Sequence, residues 1–364
     1  MPGCDARGCK MVDKLKRPEL IESKAIHELK FGSIFLNISV EAFNALGFEF
    51  GDSVDLIFSS GYELRNVPYY NGFYAKAGET VLTGYPGIKL ICIGIYDGGD
   101  VWQIAGMQEG DTVSVYMSQK GRYIDIQKTF SLHYSDDIHD YPNATVFANY
   151  RSMCGGQMKN NRMYRSASPC HNVHCRAAIV DHFMRRDHIQ FVINLADSRD
   201  ELSLYRSLPD YDSPYFDELE RSGRVQLLDL TSNFRLPAFQ KKVADSLIEM
   251  LKYDGPALVH CTEGKDRTGF IAILLEGLCG ASYYEMRNDY MKTYENYYGI
   301  TEQSRAHSYF AIIDLLFDTM LSWLSGSIGR LEDLDYVPFM TRYLLDGGMT
   351  GDEVRRLKVR LCEE

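Results

Sequence analysis

The chain has 364 residues, long for one domain and natural for two. Hydrophobic residues make up 45%, enough for a sizeable core, and a formal net charge of -11 argues against a general nucleic-acid binder, which carries a basic surface. From about residue 31 to 128 the chain is rich in strand signals. Ser53-Val54-Asp55-Leu56-Ile57-Phe58 and Thr112-Val113-Ser114-Val115-Tyr116 alternate in period two. Glycine turns separate such segments at Ser60-Gly61, Asn71-Gly72, Asp97-Gly98-Gly99 and Glu109-Gly110-Asp111. Short strands at this spacing predict a small β-barrel or sandwich.

Residues 135–143 are polar, contain three aspartates and Pro142, and read as the linker. The expected division is a β-rich unit over 1–138 and an α/β unit over 139–364. After Thr145 the texture changes. Strand-like runs at Phe191-Val192-Ile193-Asn194-Leu195, Val225-Gln226-Leu227-Leu228 and Ala257-Leu258-Val259 alternate with helical patterns. Across residues 239–253, Val243, Leu247, Ile248 and Leu251 share one helix face, and Gly255 follows as a stop. The alternation predicts a mainly parallel central sheet flanked by helices. Residues 283–361 read as helical, with an apolar stripe through Ile312, Leu315, Leu316 and Met320.

The segment that carries chemistry is His260-Cys261-Thr262-Glu263-Gly264-Lys265-Asp266-Arg267-Thr268-Gly269. It lies between the apolar run Ala257-Leu258-Val259 and a helical pattern starting at Gly269. That is the carboxyl end of a strand, where open α/β sheets bind ligands. A thiolate is a strong nucleophile, and a helix N-terminus with adjacent cations favours the thiolate form. Arg267 offers a fork of donors that can hold two phosphate oxygens. Loop N–H groups, from Thr262 and Glu263 onward, can form an anion nest. Gly264 permits a turn with positive φ. Thr268 is placed to hydrogen-bond Cys261, and His260 to orient the loop.

The Cys-x5-Arg-Thr-Gly pattern resembles the protein tyrosine phosphatase superfamily. Its Gly-Lys-Asp-Arg-Thr-Gly ending is similar to the bacterial tyrosine/serine phosphatase family with dual protein and phosphoinositide activity. Asn149-Tyr150-Arg151, Tyr164-Arg165-Ser166-Ala167, Val192-Ile193-Asn194-Leu195 with Arg199-Asp200-Glu201, and the closing Gly347-Gly348-Met349-Thr350-Gly351-Asp352-Glu353-Val354 fit the same family. The resemblance covers roughly residue 140 to the C-terminus. It implies a tyrosine-phosphatase-like fold and phosphomonoester hydrolysis through a phosphocysteine on Cys261, with a phosphorylated protein or phosphoinositide as substrate. A non-catalytic phosphate-binding module stays open as a different class.

A leaving oxygen needs a proton, and no Trp-Pro-Asp appears to supply it. Asp266 is the favoured acid, since the similar bacterial family uses the aspartate at that position. Asp229, after the strand-like run 225–228, is the alternative. Asp266 next to the thiolate and phosphate opposes anion binding unless Lys265 and Arg267 offset it or it is protonated. Lys265 reads either as a contact for an additional phosphate or as a solvated loop lysine. Glu263 is uncomfortable beside a highly anionic substrate, which tilts the reading toward phosphorylated protein side chains. Arg165 and Arg199 are expected near the carboxyl edge of the sheet, either assisting substrate or paired with Asp200 or Glu201.

Nine cysteines are scattered without metal or disulfide spacing. The nearest pairs, Cys4 with Cys9 and Cys170 with Cys175, lack a second half that would complete a zinc site. All but Cys261 are expected as free thiols in a reducing cytosol, with no metal, no cofactor and no nucleic-acid partner. Residues 1–20 have no apolar stretch of a secretory signal. The best apolar stretch, 311–324, is interrupted by Asp314 and Asp318, so no membrane-spanning helix is expected.

The N-terminal part, through Gly51-Asp52-Ser53-Val54, Asn66-Val67-Pro68-Tyr69-Tyr70, Ala77-Gly78-Glu79 and Glu109-Gly110-Asp111, loosely resembles the C-terminal β-barrel of S-adenosylmethionine hydroxide adenosyltransferases. The catalytic partner domain of those enzymes is missing, so no adenosyl chemistry is expected. Tyr69, Tyr70, Tyr74 and Tyr85 read either as an aromatic ligand surface or as packing.

Overall fold

The computed structural model describes residues 18–29, 32–76, 78–85, 89–96, 98–231, 233–327 and 329–363. Cys4 and Cys9 lie outside them. The chain divides into two compact units between Ser131 and Leu132.

The first unit is a closed seven-stranded barrel. Its strands are β1 (Glu19–Glu28), β2 (Ser33–Ser39), β3 (Ser53–Phe58), β4 (Glu63–Tyr70), β5 (Thr80–Thr83), β6 (Leu90–Ile95) and β7 (Thr112–Gln119), in the order β1-β2-β6-β5-β4-β3-β7. Neighbours run antiparallel except β4 and β5. Closure removes the open edges that would otherwise invite pairing with other chains. Period-two alternation does what it predicts. Val54, Leu56 and Phe58 of β3 and Val113, Val115 and Met117 of β7 point into one apolar core. The tyrosines are mostly packing. Tyr69 and Tyr70 are buried, Tyr74 stacks on Phe130 at 4.4 Å, and Tyr85 alone of the four is exposed.

The second unit holds a five-stranded sheet in the order β11-β10-β12-β9-β8, from β8 (Arg151–Ser152), β9 (Met163–Ser166), β10 (Phe191–Asn194), β11 (Val225–Leu227) and β12 (Ala257–His260). All pairs are parallel except β8 with β9. Every residue of β9, β10 and β12 is buried, as expected for strands covered by helices on both faces. The helix Asp266–Leu278 is apolar on all sides and buried from Thr268 to Leu278, so it is the central helix of the domain. The closing helix Gly351–Cys362 starts at a capping box in which Thr350 and Glu353 satisfy each other's backbone N–H groups. Among the described residues no helix is long and apolar enough to cross a membrane.

The stretch expected as a linker belongs to this second unit. Arg176, itself buried, donates to Ser135 O at 2.9 Å and Asp136 Oδ1 at 3.0 Å. Its guanidinium also lies 4.1 Å from the Phe147 ring centre. Polarity there reflects an arginine's binding site, not a free connector.

Candidate active site

Cys261 follows the last residue of β12, in the centre of the sheet between β10 and β9. Register places Asn194, His260 and Ser166 side by side at the carboxyl edge. The loop then runs from Cys261 to Lys265 and enters the helix Asp266–Leu278.

The backbone of this loop is tied outward one carbonyl at a time. Cys261 O lies 3.2 Å from His260 Nδ1. Thr262 O accepts from Ser168 N at 3.0 Å. Glu263 O accepts from the Tyr297 hydroxyl at 2.6 Å. Gly264 O accepts from Arg165 Nη2 at 2.9 Å and Asn149 Nδ2 at 3.2 Å. In a planar trans peptide the C=O of one residue and the N–H of the next point to opposite sides. Four carbonyls held outward therefore turn the N–H groups of Thr262, Glu263, Gly264 and Lys265 to the concave side. No acceptor among the described residues takes any of these four N–H groups. Successive inward donors at a helix N-terminus make an anion nest.

Gly264 has φ +67. A Cβ there would sit 2.2 Å from Ser166 O and 2.5 Å from Ser166 C, both backbone atoms that cannot swing aside. Gly264→Ala should therefore displace the loop and cost roughly 100-fold in kcat/KM for an aryl phosphate, the scale set by a 1 Å misplacement of catalytic groups. A lowered melting temperature should accompany it.

Arg267 reaches from the first turn of the helix across the loop. Its Nη1 donates to Leu230 O at 2.8 Å and its Nη2 to Thr262 Oγ1 at 3.3 Å. This brings the segment carrying Asp229, an exposed residue with φ +46, against the loop arginine. Thr268 Oγ1 is buried and has no hydrogen-bond partner among the described residues. Burial lowers the proton affinity of His260, only partly opposed by Asp197, to a pKa of about 4. The ring is therefore neutral near pH 7 and can donate from Nδ1 to Cys261 O.

The charged side chains of the loop neutralise one another. Lys265 Nζ is 3.1 Å from Glu263 Oε2 and 3.8 Å from Asp266 Oδ2. Glu263 also accepts from the Tyr134 hydroxyl at 2.9 Å and lies 3.9 Å from His174 Nε2. Burial pushes the Glu263 carboxyl up, but Lys265, Tyr134 and His174 outweigh it and hold it below the usual range. Burial likewise works against charge on Lys265, yet Asp266 and Glu263 hold the ammonium well above its ordinary value.

Beneath the loop lies an ion-paired group. Arg165 is fully buried and paired with Asp289, which also accepts from Arg151 Nε at 2.7 Å. Arg165 thus supports the loop through Gly264 O, and its carboxylate partner is neither Asp200 nor Glu201. Arg199 is exposed at the start of the helix Arg199–Arg206, and Glu201 is engaged in capping that helix at Ser198. Asp289, Thr293, Asn296 and Tyr297 reach the loop or its supports from one face of the helix Tyr283–Tyr298. Their spacing was the available signal: polar residues at i, i+4 and i+7 on an otherwise buried face.

Among the described residues no cluster of His, Cys, Asp and Glu is placed to hold a metal ion. Cys92, Cys154, Cys170, Cys175, Cys261, Cys279 and Cys362 are all free.

A cysteine at a strand end, a run of loop N–H groups without acceptors among the described residues, and a crossing arginine thus stand together at the carboxyl edge of an α/β sheet. The tyrosine phosphatase family profile matches residues 138–363, and the chain belongs to that family. Among solved structures, an uncharacterized conserved protein from Thermotoga maritima is 23% identical over 26% of this chain and 35% of its own, with a TM-score of 0.23. The chain therefore spans about a third of that protein. TpbA of P. aeruginosa is 18% identical over 56% of this chain and 88% of its own, with a TM-score of 0.22. A search of curated protein sequences returns no match.

Proposed function

We propose that the chain hydrolyses phosphomonoesters of protein side chains, phosphotyrosine first and phosphoserine or phosphothreonine second, through a phosphocysteine on Cys261. The observation that carries the reading is the set of four outward-tied carbonyls, which leaves the N–H groups of residues 262–265 on the other side of the loop, without acceptors among the described residues. Cys261 Sγ attacks phosphorus, and the bond from phosphorus to the ester oxygen breaks. Asp266 gives the departing oxygen its proton. The resulting Asp266 carboxylate then takes a proton from water as that water attacks the phosphocysteine, and the P–S bond breaks. Arg267 binds two of the phosphoryl oxygens. Thr268, whose hydroxyl has no other partner among the described residues, donates to the sulfur as it leaves.

Lys265 is bound to Glu263 and Asp266 and offers no spare cation for a second phosphate. This supports phosphoprotein over phosphoinositide. A panel of phosphopeptides and phosphoinositides tests it: kcat/KM for a phosphotyrosyl peptide should exceed that for any phosphoinositide by about tenfold or more. The reverse order would make the enzyme a phosphoinositide phosphatase, and no turnover of either would leave a binding module.

The acid is tested with phenyl phosphate, whose poor leaving group needs a proton. Asp266→Asn should lower kcat by roughly 100-fold or more and remove one limb of the pH profile. If Asp229→Asn does this and Asp266→Asn does not, the acid is Asp229, brought in by the Leu230–Arg267 contact.

A further inference from the structure

A second cationic site lies at the opposite edge of the sheet from Cys261. Arg162 immediately precedes β9 and Asp254 shortly precedes β12, so both stand at strand N-termini. The last turns of the helix Gly351–Cys362 cover them and add Arg355, Arg356 and Arg360. Together they line a cleft of about 490 Å³, within the range of small-molecule sites.

Four arginines face two carboxylates there, Asp254 and Glu363. Arg355 spends its charge on Asp352. Arg162 Nη2 donates to the main-chain oxygen of Glu363 at 2.8 Å, and Arg360 donates to Tyr253 O and, at 2.6 Å, to Gly255 O. Neutral carbonyls fix those two guanidinium groups without cancelling their charge. Among the described residues Arg162, Arg356 and Arg360 make no salt bridge within 4 Å, although Glu353 lies within electrostatic reach of Arg356 and Asp254 of Arg360. Burial disfavours the charge on Arg360, Asp254 opposes that effect, and Arg162 adds to it through like-charge repulsion. In a chain of net charge -11, like charges have been gathered and oriented where dispersal would relieve them. An anion in the cleft would offset that repulsion, and arginine forks match phosphate oxygens.

We propose that this cleft is a second anion site, taking a small multiply phosphorylated molecule on Arg162, Arg356 and Arg360. The probe is inorganic tripolyphosphate, titrated calorimetrically at physiological ionic strength, where charges more than about 8 Å apart are screened. Arg267→Ala protein serves as the parent, so that the catalytic loop does not compete. One saturable site is expected, weakened about tenfold or more by Arg356→Ala, since one charge-assisted contact accounts for that factor. Arg356 is exposed, so its loss leaves folding intact. Arg162→Ala should weaken binding similarly wherever its melting temperature shows a folded protein. No saturable binding, or an Arg356→Ala affinity less than about tenfold below the parent, overturns the proposal. Phosphatidylcholine vesicles carrying phosphatidylinositol bisphosphate separate the two sources of such an anion. Co-sedimentation that needs Arg356 supports a lipid headgroup as occupant, and tripolyphosphate binding without co-sedimentation supports a soluble one.

Discussion

Cys261→Ser is expected to lose hydrolysis of an aryl phosphate by roughly four to six orders of magnitude, the scale on which an enzyme loses its nucleophile, while still binding phosphate. The two effects separate because different atoms carry them. Attack needs a thiolate, and a serine hydroxyl in the same place is neither ionised nor general-base activated: neutral His260 is turned to the Cys261 carbonyl. Binding needs the N–H groups of residues 262–265 and the Arg267 fork, none of which the substitution touches. The loop carbonyls keep their partners in Ser168, Tyr297, Arg165 and Asn149. Stability should fall by about 1 kcal/mol, since a hydroxyl replaces a thiol at a site only 3% exposed. Rate measurement, phosphate calorimetry and a thermal melt on the same preparation check all three. A rate loss under about 100-fold with binding intact would place the nucleophile elsewhere, because residual catalysis by binding groups alone is far smaller than that remainder.

Much of the frame was legible because the relevant signals are local. The strand Ala257–His260 shows as a short apolar run, the helix that follows as a continuous apolar stretch, and the barrel strands as period-two alternation. Each depends on residues a few positions apart. The position of Cys261 at a carboxyl strand end follows from those alone. The loop's electrostatics were not legible in the same way. Read along the chain, Glu263 is an acid in an anion site and Lys265 a spare cation. In space they hold each other at 3.1 Å, and Tyr134 and His174, far away in sequence, complete the pairing of Glu263. Contacts between residues so far apart along the chain leave no periodicity to read.

Arg165 shows the same limit from the other side. The resemblance drew attention to it, and its strand position placed it near the carboxyl edge. Side-chain direction decided its role: on β9 it turns inward, under the loop, and meets Asp289 from a helix more than a hundred residues later. A buried arginine without a carboxylate would be untenable, so the sequence did imply a partner. It could not say which of 50 acidic residues supplied it.

Asp289→Asn should cost about 3 kcal/mol of stability, the lower end of the 3–5 kcal/mol seen when one partner of a buried ion pair is removed. Asp289 is the shared counter-charge of Arg151 and Arg165, and Arg165 in turn holds Gly264 O. Losing it strands the buried Arg165 and the half-buried Arg151 guanidinium groups and loosens the loop, so activity should fall along with stability. The cost stays at the lower end because of Glu276. Burial first, and the negative charge of Asp289 second, hold the Glu276 carboxyl well above its ordinary value. Without Asp289 that repulsion vanishes, and Glu276 can ionise and partly replace it. Asp289→Asn with Glu276→Gln should therefore cost more than the two single changes added together, a coupling expected only for neighbours in one network. The pH dependence has a definite sign. Burial alone would raise the Asp289 carboxyl, but Arg151 and Arg165 overcome it and hold the folded-state value at about 2, below the ordinary 3.8. A depressed carboxylate stabilises the fold above its unfolded value and loses that contribution as pH falls toward the folded one. The gap in urea midpoint between wild type and Asp289→Asn should thus be full at pH 6 and narrow on acidification from about 4 toward about 2. A gap that is constant over that range, or a single-variant cost under about 1 kcal/mol, would mean that Arg151 and Arg165 are sustained by their carbonyl and hydroxyl partners alone.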